Sequence, residues 1–110
     1  MNKNNIKQLL QALKKNPSDS FAKFALALEL LKSDEVSKAR VLFESILEQD
    51  PGYLGVYYHL GKLYEQQQLF KKALELYQKG VELARQQGQS RTCSELEEAI
   101  EFLNSEMNHE

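Results

Sequence analysis

The sequence has no tryptophan, one cysteine, two prolines and five glycines in 110 residues. A single cysteine excludes an internal disulfide framework and a multi-cysteine metal site, and agrees with a reducing compartment. No apolar run approaches the roughly 20 residues of a membrane span. The most apolar stretch, residues 21–31, is interrupted by Lys23 and Glu29. The opening Met1 to Lys7 is not followed by the apolar stretch of a secretory leader. Neither sign of charge dominates: 14 basic residues face 16 acidic ones, a net charge of −2, so nucleic acid meets no chain-wide attraction. These absences predict a cytoplasmic protein with neither membrane nor nucleic acid among its partners. At 110 residues the chain is one domain, able to bury a modest core.

What is abundant is Leu, Ala, Glu, Lys and Gln. These residues lose little rotamer freedom in a helix, and the composition predicts an all-α fold. Breaks stand at Asn16-Pro17-Ser18-Asp19, Lys32-Ser33-Asp34-Glu35, Asp50-Pro51-Gly52, Gln66-Gln67-Gln68 and Gly88-Gln89-Ser90. Between them apolar residues recur at helical spacing. The pattern predicts helices over about 3–15, 19–32, 36–49, 54–67, 70–87 and 92–107. Thr92-x-x-Glu95 is a capping-box pattern for the last helix, with Ser90 a competing N-cap.

The chain also matches itself at an offset of 34 residues. Pro17 falls on Pro51, Leu26 on Leu60, Ala39 on Ala73 and Leu42 on Leu76. Phe24 falls on Tyr58, Ala27 on Gly61, Leu30 on Tyr64 and Phe43 on Tyr77. Small residues align with small ones, and aromatics with aromatics or Leu. Repeated units of this length bury their apolar faces against neighbouring units.

Leu60-Gly61-x-x-Tyr64 followed by Ala73-x-x-x-Tyr77 resembles the tetratricopeptide repeat, and Leu26-Ala27-x-x-Leu30, Ala39-x-x-x-Phe43 and Asp50-Pro51 repeat the likeness. The resemblance spans about residues 5–87. It implies a half-unit over 1–17, repeats over 20–53 and 54–87, and a capping helix over 88–110. It gives Ala27, Gly61, Ala39 and Ala73 the role of close helix crossings, and places Phe43 and Tyr77 between units. The chain departs from the family pattern at several points. Lys23 stands where a large apolar residue is usual, a place that Tyr57 fills in the second repeat. Asp34 and Gln68 replace turn glycines, Gly80 replaces an alanine, and Arg85 stands in place of a third proline, so the helix there should run on to Gln87.

In such repeats the first helices line a concave groove. The resemblance therefore implies a binding strip of Phe21, Phe24, Leu28 and Leu31 in one repeat and Tyr58, His59, Lys62, Glu65 and Gln66 in the next. Phe21, Phe24 and Leu28 should be exposed while Leu26 and Leu30 are buried. Relatives that clamp a C-terminal carboxylate do so with Lys and Asn. Phe24 and Leu28 occupy those places here, which argues against a carboxylate ligand. The expected function is non-catalytic protein or peptide binding, as an adaptor. Self-association through the same apolar stripe is the alternative.

The chemistry-bearing residues are few. His59, His109 and Cys93 show no ligand spacing, and Cys93 reads as a small filler near a helix start. The glutamates from Glu95 onward read as the solvated face of a capping helix whose apolar stripe is Leu96, Ala99, Ile100, Leu103 and Met107. No catalytic, cofactor-binding or metal-binding residue is expected. Charge is segregated along the chain: residues 1–17 carry +4, the middle −1 and residues 88–110 carry −5.

Overall fold

Asp19 begins the helix that follows Pro17. Its side chain accepts a hydrogen bond from the Ala22 backbone N–H at 3.0 Å, satisfying a donor that a helix start leaves free. In the computed structural model, which describes residues 3–108 and side chains from Asn5 onward, this helix is α2, Ser20–Lys32. The others are α1, Lys3–Lys15; α3, Val36–Gln49; α4, Gly55–Gln66; α5, Phe70–Gln86; and α6, Ser90–Met107. The described residues contain no strand, and the fold is all-α. His109 lies outside them.

Helices α1–α3 form one compact unit, residues 1–53, and α4–α6 a second, residues 54–110. In the first unit Ala22, Leu26 and Ala27 of α2 are buried with Ala39, Phe43 and Ile46 of α3. The absence of side-chain bulk at Ala27 and Ala39, both 0% exposed, allows a close crossing. Lys23 answers the missing large apolar residue with polar bonds across the same hairpin. Its Nζ donates to Ser45 Oγ at 2.8 Å and to Gln49 Oε1 at 2.7 Å. Gln49 Nε2 in turn donates to the Ser18 carbonyl at 2.8 Å.

In the second unit Val56, Tyr57, Leu60 and Leu63 of α4, Ala73, Tyr77 and Ala84 of α5, and Leu96 and Leu103 of α6 are buried. Two glycines set the helix spacing. A Cβ on Gly61 would lie 2.9 Å from Tyr77 Cδ1. A Cβ on Gly80 would lie 2.9 Å from both Tyr57 Cβ and Leu96 Cδ1, so α4, α5 and α6 meet where even alanine is too large. Phe43 packs on Phe24 and Tyr77 lies over Gly61, each contact inside its own unit.

Three hairpin turns share one design. Asp34 (φ 62°), Gln68 (φ 63°) and Gly88 (φ 68°) each adopt the left-handed conformation just past a helix. The following N–H groups of Glu35, Leu69 and Gln89 reach back to the carbonyls of Leu30, Tyr64 and Ala84, each at 2.8 Å. The same three residues then act as N-caps. Gln89 occupies this role ahead of α6 without a side-chain cap bond. This corrects the expected start of the last helix: Ser90 is its first residue and Thr92 lies inside it, so neither caps it. The turn geometry, set by Gly88, takes the place of a capping side chain.

Gln68 holds a conformation that costs an L-residue about 1–2 kcal/mol. Gln68→Gly should therefore stabilise the protein by about 0.5–1 kcal/mol after the added chain entropy of glycine. The rise in Tm should be a few degrees, and the gain at Asp34→Gly smaller, because Asp tolerates this region better. An unchanged Tm for Gln68→Gly would mean that the left-handed turn is not strained.

Candidate functional site

On α2 the expected strip follows spacings of three and seven that bring Phe21, Phe24 and Leu28 to one side, with Leu31 a turn beyond. The structure distributes these residues unevenly. Phe21 is 69% exposed. Phe24, Leu28 and Leu31 are half-buried. The Phe24 ring lies 5.8 Å from Phe43 and 5.2 Å from Tyr53, both tilted. The expectation of an exposed Phe24 and Leu28 is thus corrected: Tyr53, from the loop before α4, covers the Phe24 ring, and Leu28 is half-buried. Leu26 is buried as expected, but Leu30 is only half-buried, at the edge of an open apolar groove.

On α4 the structure gathers some of the expected residues and disperses others. Tyr58 and Lys62, one helical turn apart, line an open cleft with Glu95, Glu98, Ala99 and Phe102 of α6. Its volume is about 300 Å³. Lys62 Nζ sits 5.5 Å from the Tyr58 ring centre and 5.9 Å from that of Phe102, a double cation–π placement. It also lies 3.9 Å from Glu65 Oε1. Glu65 is anchored from behind, because the Tyr77 hydroxyl donates to it at 2.6 Å. Burial, reinforced by that hydrogen bond and the carboxylate charge, pushes the Tyr77 phenol well above its ordinary range, so it remains a donor. His59 stands edge-on to Tyr58 at 5.6 Å, outside the cleft lining. Gln66 is exposed at the end of α4 and does not line the cleft.

Glu95, Glu98 and Phe102 were not foreseen as site residues. Their helix was read as a cap with a solvated glutamate face; those glutamates are exposed, and two of them also line the cleft. The signal in the sequence was Phe102 itself, an aromatic off the Leu96–Ala99–Leu103 stripe. Glu97 belongs elsewhere, accepting from Arg85 Nη2 at 2.8 Å and linking α5 to α6. Cys93 is half-buried. Among the described residues no group of three His, Cys, Asp or Glu side chains is placed to hold a metal ion. No helix among them is long and apolar enough to cross a membrane.

Two tests follow from these placements. Phe24→Ala should cost about 2 kcal/mol, roughly half the loss for a fully buried ring, while Phe21→Ala should stay within about 0.5 kcal/mol of the parent. Equal losses in urea denaturation would place both rings alike. The second test uses His59, whose pKa burial lowers, so the folded state favours the neutral ring. The unfolded chain binds the proton more readily, and stability should fall as pH drops below the ordinary histidine value of about 6.5. His59→Gln should flatten that fall; an identical pH profile for both proteins would remove His59 as its source.

Comparison with known proteins agrees with this architecture. Residues 30–91 match the tetratricopeptide repeat family. No curated protein sequence matches the chain. The solution structure of a tetratricopeptide repeat domain protein from Salinibacter ruber is 44% identical, with a TM-score of 0.76 over 82% of this chain and 91% of that one. A crystal structure of a tetratricopeptide repeat domain protein from the same organism is 45% identical, with a TM-score of 0.77 over 79% of this chain and 97% of that one. The TPR2B domain of yeast Sti1, solved as its pHsp70 complex, shares the fold at 16% identity, with a TM-score of 0.82 over 92% of this chain and 81% of that one. Repeat spacing, small residues at the helix crossings and these matches agree: the chain belongs to the tetratricopeptide repeat family.

Proposed function

We propose that this chain is a non-catalytic adaptor of the cytoplasm that binds a peptide or a segment of a partner protein along the first helices of its repeats. A generic role in protein interaction accompanies membership of the family. The repeat framework of this reading is a half-unit over 1–17, repeats over 20–53 and 54–87, and a capping helix over 88–110. The net charge of −2 and the single cysteine support a partner other than nucleic acid and a reducing compartment.

The observation that carries the reading is the open cleft of the second unit. Two aromatic rings, one lysine and two glutamates converge there on exposed helix surface. Apolar rings with a few polar groups at their edge are the usual makings of a peptide subsite. Phe21 offers a further anchor on the first unit.

The test is selection of random peptides displayed on phage, followed by calorimetric titration of the recovered peptides. Tyr58→Ala or Phe21→Glu should weaken binding at least about tenfold while the circular dichroism melt is retained. If no peptide is recovered, or if both variants bind like the parent, the strip is not the binding site.

A further inference from the structure

The first unit carries an apolar groove that the proposed binding strip does not use. Ile6 and Leu10 of α1, Leu26 and Leu30 of α2, and Val41 and Leu42 of α3 line it, around a volume of about 560 Å³. Leu10 is 53% exposed and Val41 59%. Apolar side chains left this open beside an apolar groove mark a surface that another molecule covers. Its rim is basic. Lys38 lines the groove, and exposed Lys7 and Lys14 stand on α1 one turn to either side of Leu10. The sequence of α1 contains no acidic residue. Glu35, the acidic neighbour of Lys38, is already paired with it at 3.6 Å.

The α6 helix presents the opposite character. Phe102 is 54% exposed. Exposed Glu95, Glu98 and Glu106 share its helix face, at spacings of seven, four and four residues. Lys62, near the Phe102 ring, and Arg91, 3.8 Å from Glu95, are the basic residues beside this collar, while Glu98 and Glu106 extend it along α6. A projecting ring on an acidic helix face complements an apolar groove with one lysine in its lining and two more exposed on α1 beside it.

We propose that the α1–α3 groove of one copy of this chain takes the Phe102 face of α6 of a second copy, in competition with a peptide for the α6 wall of the second unit's cleft. The contact is heterologous: it joins two different patches, so each copy engaged through one patch still offers the other. The Lys–Glu complementarity steers the encounter and weakens with salt, while the ring in the groove supplies the apolar contact.

The test is sedimentation of the full chain between about 10 μM and 1 mM, the range in which modest affinities are read. The weight-average mass should rise above that of one chain with concentration, and about 0.5 M salt should weaken the association about tenfold. Val41→Glu and Phe102→Glu should each be monomeric alone. Mixed, they should pair one to one, because the first keeps its Phe102 face and the second keeps its groove. Both positions are exposed, and circular dichroism melts confirm that each variant is folded. A parent chain that is monomeric at 1 mM overturns the proposal, as does association of either variant like the parent, or a folded mixture that does not pair.

Discussion

A chain ending at Gln89 should lose cooperative folding of α4 and α5. Leu96, Ala99 and Leu103 are 0%, 5% and 0% exposed, and all lie on α6. Leu96 also sits against Gly80, at the point where three helices meet. Burying each leucine contributes about 1.5–3 kcal/mol. Truncation also bares the α5 surface they cover. The combined loss of about 5 kcal/mol or more is comparable to the whole stability of a small domain. Repeat stacks expose apolar faces when a terminal helix is removed, so aggregation should accompany the loss. Thermal unfolding by circular dichroism and light scattering check this. A truncated protein that melts sharply near the parent temperature and stays monodisperse would show that α6 is dispensable.

Gly61→Ala should destabilise the second unit by about 2–3 kcal/mol, despite the better helix propensity of alanine. The new Cβ would stand 2.9 Å from Tyr77 Cδ1 and 3.0 Å from Cζ. The ring cannot step aside freely. Tyr77 is 0% exposed, and its hydroxyl is held by Glu65 at 2.6 Å. Moving the ring breaks that bond and leaves a buried polar group in search of a partner. Tyr77→Leu removes the offending ring atoms at its own cost in packing. The two substitutions should therefore couple, with the double variant better by about 1–2 kcal/mol than the sum of the single losses. Urea denaturation of the four proteins measures the cycle. Additive losses would mean that the ring yields to the new methyl group and that Gly61 is not required for the crossing.

Much of this architecture was legible in one dimension. Helix positions follow from apolar spacing and from breaks at Pro17, Asp34, Pro51, Gln68 and Gly88, all of which concern residues close in the chain. The repeat follows from size matching at an offset of 34, with Ala39 and Ala73 at crossings and Gly61 opposite Tyr77. The site was legible only in part. Tyr58 and Lys62 were foreseen, but their companions on α6 were not, because the separation from Lys62 to Phe102 has no local periodicity to reveal it.

Helical periodicity, turn chemistry and residue size belong to the chain itself, and they determined the elements, their order and the close crossings. Exposure belongs to whatever packs across from a residue. Phe21 and Phe24 lie one turn apart on the same helix, yet Tyr53 and Phe43 cover only the second. Gly80 looks like a weakened alanine position until Tyr57 and Leu96 are seen pressing on it from two other helices. Glu95 and Glu98 look like plain solvated surface until α6 is seen to place them, still exposed, on the cleft that Lys62 also lines. Those outcomes were left to the tertiary structure, because a contact between distant segments depends on how helices are oriented, which spacing along one helix does not encode.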